Sequence, residues 1–301
     1  MLIRYFKILF LEPKRLFVFL LNRLGRIFPD KLYIQINFFL SLGYKINLRN
    51  PKTFNEKLNW LKLNHRCELY TLLADKFLVK QYVKEKIGEQ YVVPLLGVWN
   101  NIDDINLDDL PSQFVLKATH DSSGAVICYS KDDFDYSNVK KHFCNVLKRN
   151  YFYSCREWPY KNIKPRIISE VLLKSGDLNK PIQDYKFMCF NGVPKLMYCT
   201  IKGGEVYENF YDMEFNPIYI SHDFPRHLPE FEKPASFQLM KSLAEKLAQN
   251  IPFVRIDFYE VEGNVYFGEY TFYDWAGFKP YNNIEWDYKL GEWIDLSGLN
   301  E

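Results

Sequence analysis

The chain has 301 residues, 48% of them hydrophobic and 25% charged, enough for one large domain or two lobes around real cores. A formal net charge of +2 gives no general electrostatic attraction for nucleic acid. Six cysteines without a CxxC pair argue for reduced thiols in a cytoplasmic protein and against a zinc site.

Residues 1–31 carry seven basic and two acidic side chains among Leu, Phe and Ile. The longest uncharged run there, Leu16 to Asn22, is far below the ~20 residues that span a bilayer. On a helical projection Arg4, Lys7, Lys14, Arg15, Arg23 and Arg26 cluster on one side, with Pro13 as a kink. This pattern suits an anionic membrane surface, or a helix packed on the body with its basic face in water.

Residues 35–100 read as helical. Thr53 with Glu56 three residues on has capping-box spacing, and "TLLADKFLVKQYVKEKIGE" reads as one amphipathic helix ending at Gly88. "YVVPLLGVW" follows as a short strand. "FVLKATH" is a β-type run that puts Lys117 near a strand end, ahead of the small-residue loop of "HDSSG". Residues 131–150 form a polar helix, and "RIISEVLL" is an apolar strand headed by Glu170. "DYKFMCFNGVPKLMYCT" reads as a hairpin turning at Asn191-Gly192, with Lys186 inside its first strand. "SFQLMKSLAEKLAQN" is an amphipathic helix.

The last hairpin, "VRIDFYEVEGNVYFGEYTF", sets Asp257 and Glu269 in mid-strand among aromatic residues. Strand alternation puts Arg255, Asp257 and Tyr259 on one face, and Phe267, Glu269 and Thr271 on the matching face of the second strand. Tyr266, Tyr270 and Phe272 then join Val254, Ile256 and Phe258 on the apolar face. A turn centred on Gly263 sets Asp257 opposite Glu269 and Arg255 opposite Thr271. Opposed like charges destabilise a sheet. A divalent cation between them reverses the sign, and Mg²⁺ takes one or two carboxylates plus substrate phosphates. The competing reading is a solvent-facing strand side on which Arg255 neutralises the pair.

In order, these pieces are a lysine before a small-residue loop, a glutamate before an apolar hinge, a second lysine, Arg-x-Asp, and a glutamate. That order resembles the ATP-grasp superfamily, and more narrowly the TupA-like (teichuronopeptide-biosynthesis) ATP-grasp family of bacterial surface-polysaccharide clusters. The matching stretches include "KTFNEKLNWLKL", "LADKFLVKQYV", "LPSQFVLKATH", "KPRIISEVLL", "DYKFMCFNGVPK" and the last hairpin. The resemblance implies an α+β ATP-grasp fold, two lobes holding Mg·ATP between antiparallel sheets. The chain divides accordingly into a basic segment 1–34, a helical subdomain 35–110, a small lobe 111–175 and a large lobe 176–301 with the metal site.

By the same resemblance, Lys117 and Lys186 contact ATP phosphates, and the loop of His120, Ser122, Ser123 and Gly124 closes over them. Glu170 and the backbone of Val171, Leu172 and Leu173 meet adenine, and Asp177 or Asp184 meets ribose. Asp257 and Glu269 hold Mg²⁺ with Thr271 in the place where family members carry Asn, and Arg255 steadies the transferred phosphoryl group. Asp274 and Trp275 are candidates for substrate contact. The implied activity is an ATP-dependent ligase that makes an acyl-phosphate and joins a carboxylate to an amine. Its partners would be a glycan or sugar-nucleotide acceptor and an amino acid or amine, in the cytoplasm or at the inner face of the membrane. The alternatives are a glycosyltransferase using a nucleotide-sugar, and a nucleotide-binding protein with weakened catalysis.

Overall fold

The computed structural model describes residues 25–122, 124–174, 182–203 and 205–299. Two antiparallel sheets dominate. The smaller contains β1 (Leu95–Trp99), β2 (Phe114–Ala118), β3 (Val126–Cys128) and β4 (Ile167–Val171) in the order β1-β4-β2-β3. The larger contains β5 (Asp184–Phe190), β6 (Val193–Gly203), β7 (Glu205–Tyr211), β8 (Pro217–Ile218), β9 (Phe253–Val261) and β10 (Asn264–Thr271) in the order β10-β9-β5-β6-β7-β8.

Helix α1 (Asp30–Leu42) is followed by α2 (Phe54–Asn64), which begins in the expected capping box. The Glu56 amide donates to Thr53 Oγ1 at 3.2 Å, and the Thr53 amide donates back to Glu56 Oε2 at 3.2 Å. The next apolar run breaks into two helices, α3 (Glu68–Ala74) and α4 (Leu78–Ile87), rather than one. Asp75 makes the break: its Oδ1 accepts from the amides of Phe77 and Leu78, which starts a new helix. Helix α5 (Tyr136–Val146) buries Val139, Phe143 and Val146 against Phe114, Leu116 and Ile167 of the smaller sheet. After the short helix α6 (Phe152–Cys155) comes α7 (Phe237–Ala248), whose buried Phe237, Met240, Leu243, Ala244 and Leu247 follow helical spacing and cover the larger sheet. Helix α8 (Ile284–Glu292) packs on α2, where Asp287 accepts from the Asn55 amide at 2.9 Å.

The last hairpin sets the site, by a route the alternation alone does not show. Asn264 pairs with Val261, so the turn is the two residues Glu262 (φ 52°) and Gly263 (φ 76°), both left-handed, as a tight type I′ hairpin requires. Carried straight on, that register would pair Asp257 with Gly268 and put Glu269 on the core face. Instead the register shifts between Phe267 and Glu269, and Gly268 is the extra residue of a β-bulge. The bulge restores Glu269 opposite Asp257 and Thr271 opposite Arg255. It also exchanges the roles expected for Tyr266 and Phe267. Phe267 lies opposite Phe258 and is buried, whereas Tyr266 lies opposite Tyr259 and is half-buried.

Gly268 has little room for a side chain. A Cβ there would lie 3.0 Å from the Asp257 carbonyl oxygen and 3.3 Å from Asp257 Cβ. Gly268→Ala is expected to push the Asp257 strand away, costing about 1–2 kcal/mol of stability, typical of overpacking. Chemical denaturation measures it, and an unchanged unfolding midpoint would mean that the bulge yields freely.

Candidate active site

A cleft of about 630 Å³ runs between the two sheets. Its floor is the charged face of β5, β9 and β10. Lys186 of β5 pairs in register with Asp257 of β9, which pairs with Glu269 of β10. Lys186 Nζ lies 2.8 Å from Asp257 Oδ2 and 3.1 Å from Asp184 Oδ2. Arg255 forks onto Asp257, with Nε to Oδ1 and Nη2 to Oδ2 both at 2.7 Å. It reaches Glu269 Oε1 more loosely at 3.4 Å. Burial opposes ionisation of Asp257, but Arg255 and Lys186 outweigh it and hold the carboxyl below the usual range. Burial likewise opposes the charge on Lys186, and Asp257 more than offsets it, so this lysine stays ionised.

The opposite wall comes from the smaller sheet. Glu170, buried on β4, bridges two lysines at 2.5 Å each: Lys117 of β2 and Lys80 of α4. Burial favours the neutral acid here too, but the two ammonium groups win and lower its pKa.

Several residues expected at a ligand are occupied in other ways. Glu170 anchors the lysine pair. The Val171 amide is already taken by the Pro94 carbonyl at 3.1 Å, because β4 is an inner strand, and Leu172 and Leu173 lie half-buried beyond its end. His120 is buried with Nε2 3.1 Å from the Val146 carbonyl, so its ring belongs to the small-lobe core instead of the loop. Ser122 is exposed and lines the cleft, and Gly124 sits at φ 93°. Asp121, a negative charge beside the expected phosphate path, is neutralised by the Arg149 guanidinium. Asp274 is 2% exposed and acts as a strut: its Oδ1 accepts from Arg255 Nη1 at 2.7 Å and Tyr198 Oη at 2.8 Å. Thr271 and the 42% exposed Trp275 line the cleft. Ser123, Asp177 and residues 1–24 lie outside the described residues.

Sequence reasoning passed over Lys76, Lys80, Tyr198, Gly268 and Glu157. The two lysines had a signal, a spacing of four residues in "DKFLVK". Lys76 Nζ approaches Glu269 Oε2 at 3.5 Å, so Asp257 and Glu269 each have a cation nearby. A model of the TupA-like ATP-grasp family matches residues 56–295.

The chain belongs to the TupA-like ATP-grasp family.

The protein has the family's ATP-grasp fold. It is structurally similar to a D-alanine–D-alanine ligase from Bacillus anthracis complexed with ATP. That likeness has 16% identity and a TM-score of 0.38, covering 66% of this chain and 53% of that one. It is also similar to a D-alanine–D-alanine ligase from Helicobacter pylori, at 13% identity and a TM-score of 0.42, covering 80% and 69%. A third likeness is to the ATP-grasp ligase PsnB complexed with minimal precursor, Mg and ADP, at 9% identity and a TM-score of 0.38, covering 72% and 57%. The chain thus spans about half the length of the first of these ligases. No curated protein matches it. Among the described residues, no helix is long and apolar enough to cross a membrane.

Proposed function

We propose that this TupA-like protein is an ATP-dependent ligase that activates a carboxylate as its acyl-phosphate and couples it to an amine, in the building of a bacterial surface polysaccharide. The observation that carries this reading is the opposed pair Asp257 and Glu269, facing the lysines Lys117 and Lys80 across one cleft. A phosphate chain placed there meets cations on both walls. Lys117 has a single anchoring carboxylate and keeps donors for phosphate oxygens, which it meets as a point charge. Lys186 is held by two carboxylates and keeps one.

Mg²⁺ fits the donor set. Two hard carboxylates with phosphate oxygens are what this ion takes, and Glu269 is the less committed of the two, held only at 3.4–3.5 Å. Asp257 and Glu269 would hold it, with Thr271 beside them, and it would neutralise charge on the transferred phosphoryl group. Arg255 has one end tied to Asp274 and Tyr198, which fixes its plane at the cleft floor. Its five N–H donors are engaged by protein oxygens, so it stabilises developing phosphoryl charge by its fixed positive potential. We assign Asp184, beside Lys186, to a ribose hydroxyl. The carboxylate we assign to a uronic acid or similar glycan acceptor, and the amine to an amino acid or amino sugar, with residues 1–31 attaching the enzyme to the inner leaflet.

Calorimetry tests the reading. Mg²⁺-dependent binding of ATP is expected, with no binding of UDP-sugars. Binding of a UDP-sugar without affinity for ATP would replace it with a glycosyltransferase.

A further inference from the structure

One buried acid in the cleft is unused by this mechanism. Glu157 follows α6, is 6% exposed, and lines the cleft together with Tyr160 and Tyr273. Among the described residues its carboxylate has no hydrogen bond and no ion pair. A buried carboxylate without a hydrogen-bond donor is costly, so it favours a partner that brings one.

The two cations that influence it most are committed elsewhere. Lys62 Nζ has three N–H donors and three acceptors: Asn59 Oδ1 at 3.2 Å, the Cys155 carbonyl at 2.9 Å and the Ala276 carbonyl at 2.6 Å. Arg255 has five N–H donors, and Asp257, Glu269, Asp274 and Tyr198 take them all. Both supply positive potential to Glu157, and neither has a donor left to give it. The other charged or titratable neighbours include Glu269 and Asp274, which repel, and the hydroxyls of Tyr160, Tyr151, Tyr273 and Tyr33 with the Cys155 thiol. The partner this arrangement lacks is a small cation bringing its own N–H donors into the cleft.

We propose that Glu157, walled by Tyr160 and Tyr273, is the ammonium site for a primary-amine substrate. The proposal rests on the ligase reading for its place in the reaction, since the amine of such a ligase arrives as R–NH₃⁺. The site orients it by a charge-assisted hydrogen bond, with the aromatic rings as further cation-attracting surface. One proton then passes to the carboxylate, so that R–NH₃⁺ and Glu157–COO⁻ become R–NH₂ and Glu157–COOH. The freed lone pair forms the C–N bond to the acyl carbon as the bond from that carbon to the phosphate oxygen breaks. Inorganic phosphate leaves and takes up the remaining proton lost by nitrogen. Burial, the strongest influence on Glu157, pushes its carboxyl up to about 7, which suits a group that must take this proton near neutrality.

The test uses the full chain and saturation-transfer NMR with n-propylammonium, glycine and L-alanine, each against its hydroxyl isostere: n-propanol, glycolate and L-lactate. Titrations are run with and without Mg·AMP-PNP. At least one amine is expected to bind about tenfold or more tightly than its isostere, and Glu157→Gln should erase that preference while nucleotide affinity holds within about twofold. No binding of any amine, equal binding of the hydroxyl forms, or an amine preference that survives Glu157→Gln would each overturn the proposal. Failure of AMP-PNP to bind would overturn the ligase reading instead, and the nucleotide-free titration then judges the ammonium site alone. If Glu157→Gln does not fold, the wild-type comparison of amine with hydroxyl isostere decides.

Discussion

Glu269→Gln is expected to lower Mg²⁺-dependent ATP turnover about 100-fold or more with almost no loss of stability, whereas Asp257→Asn loses both. The two acids oppose each other in the sheet but are bound differently. Glu269 is 38% exposed at its side chain, and its nearest cations lie at 3.4 and 3.5 Å. Losing such contacts costs about 0–1 kcal/mol. Its loss from the proposed metal-binding pair would remove several kcal/mol of transition-state charge stabilisation, and about 2.7 kcal/mol is already 100-fold. Asp257 is 2% exposed and holds Arg255 and Lys186 together. An amide there leaves two buried cations under-compensated, at a cost of about 3–5 kcal/mol. The two acids oppose each other in register, but the burial of Asp257 makes only its variant costly to the fold. Steady-state ATPase assays beside urea melts check the split. Wild-type turnover in Glu269→Gln would sink the metal assignment, and an unshifted melt for Asp257→Asn would sink the account of its two ion pairs.

The charged face was legible because side chains in a strand repeat every two residues, and Arg255, Asp257, Glu269 and Thr271 obey that period. The reason for the register was not. The turn is one residue tighter on its Gly263 side than the alternation implied, and the bulge at Gly268 compensates. A glycine inside a strand pattern is a known bulge signal, so this information was present. The family assignment was legible from many ordered stretches, although each was weak alone. The roles of Asp274, Glu157 and Lys62 were not legible, because they depend on contacts between distant segments. Lys62 meets carbonyls 93 and 214 residues away. Nothing within a helical period of "WLKLN" marks that lysine as different from a solvated one, since a buried lysine and a surface lysine look alike until the fold closes over them.

That closure gives Lys62→Met an expected structural effect as large as that of Asp257→Asn. Lys62 is fully buried on α2, over the Phe278 ring at 4.2 Å. The substitution keeps the apolar stem but strands three oxygen acceptors, and about 3–5 kcal/mol is expected for such a loss. For a chain of this size that lowers the melting midpoint by roughly 10 °C. The effect reaches the cleft through the backbone. Ala276, whose carbonyl Lys62 holds, and Trp275 both sit at positive φ, 54° and 46°. Side-chain-bearing residues hold that conformation only under constraint. With the ammonium gone the segment relaxes, Asp274 moves with it, and Arg255 loses its 2.7 Å strut. Turnover therefore falls with stability, although Lys62 touches none of the expected substrates.

The pH dependence separates this account from simple loss of packing. Glu157 has its pKa raised on folding, so its contribution to stability is present below the ordinary carboxylate range and lost as pH rises through about 7. Lys62 lowers that pKa by its charge. Without it the carboxyl rises further, and more stability is lost on going from pH 5 to 7. The Lys62→Met deficit should thus be larger at pH 7 than at pH 5, where Glu157 is protonated in either protein. Denaturant melts at the two pH values measure it. An equal deficit at both would show that Lys62 acts only as a packed and hydrogen-bonded strut, with no electrostatic grip on the acid beside it.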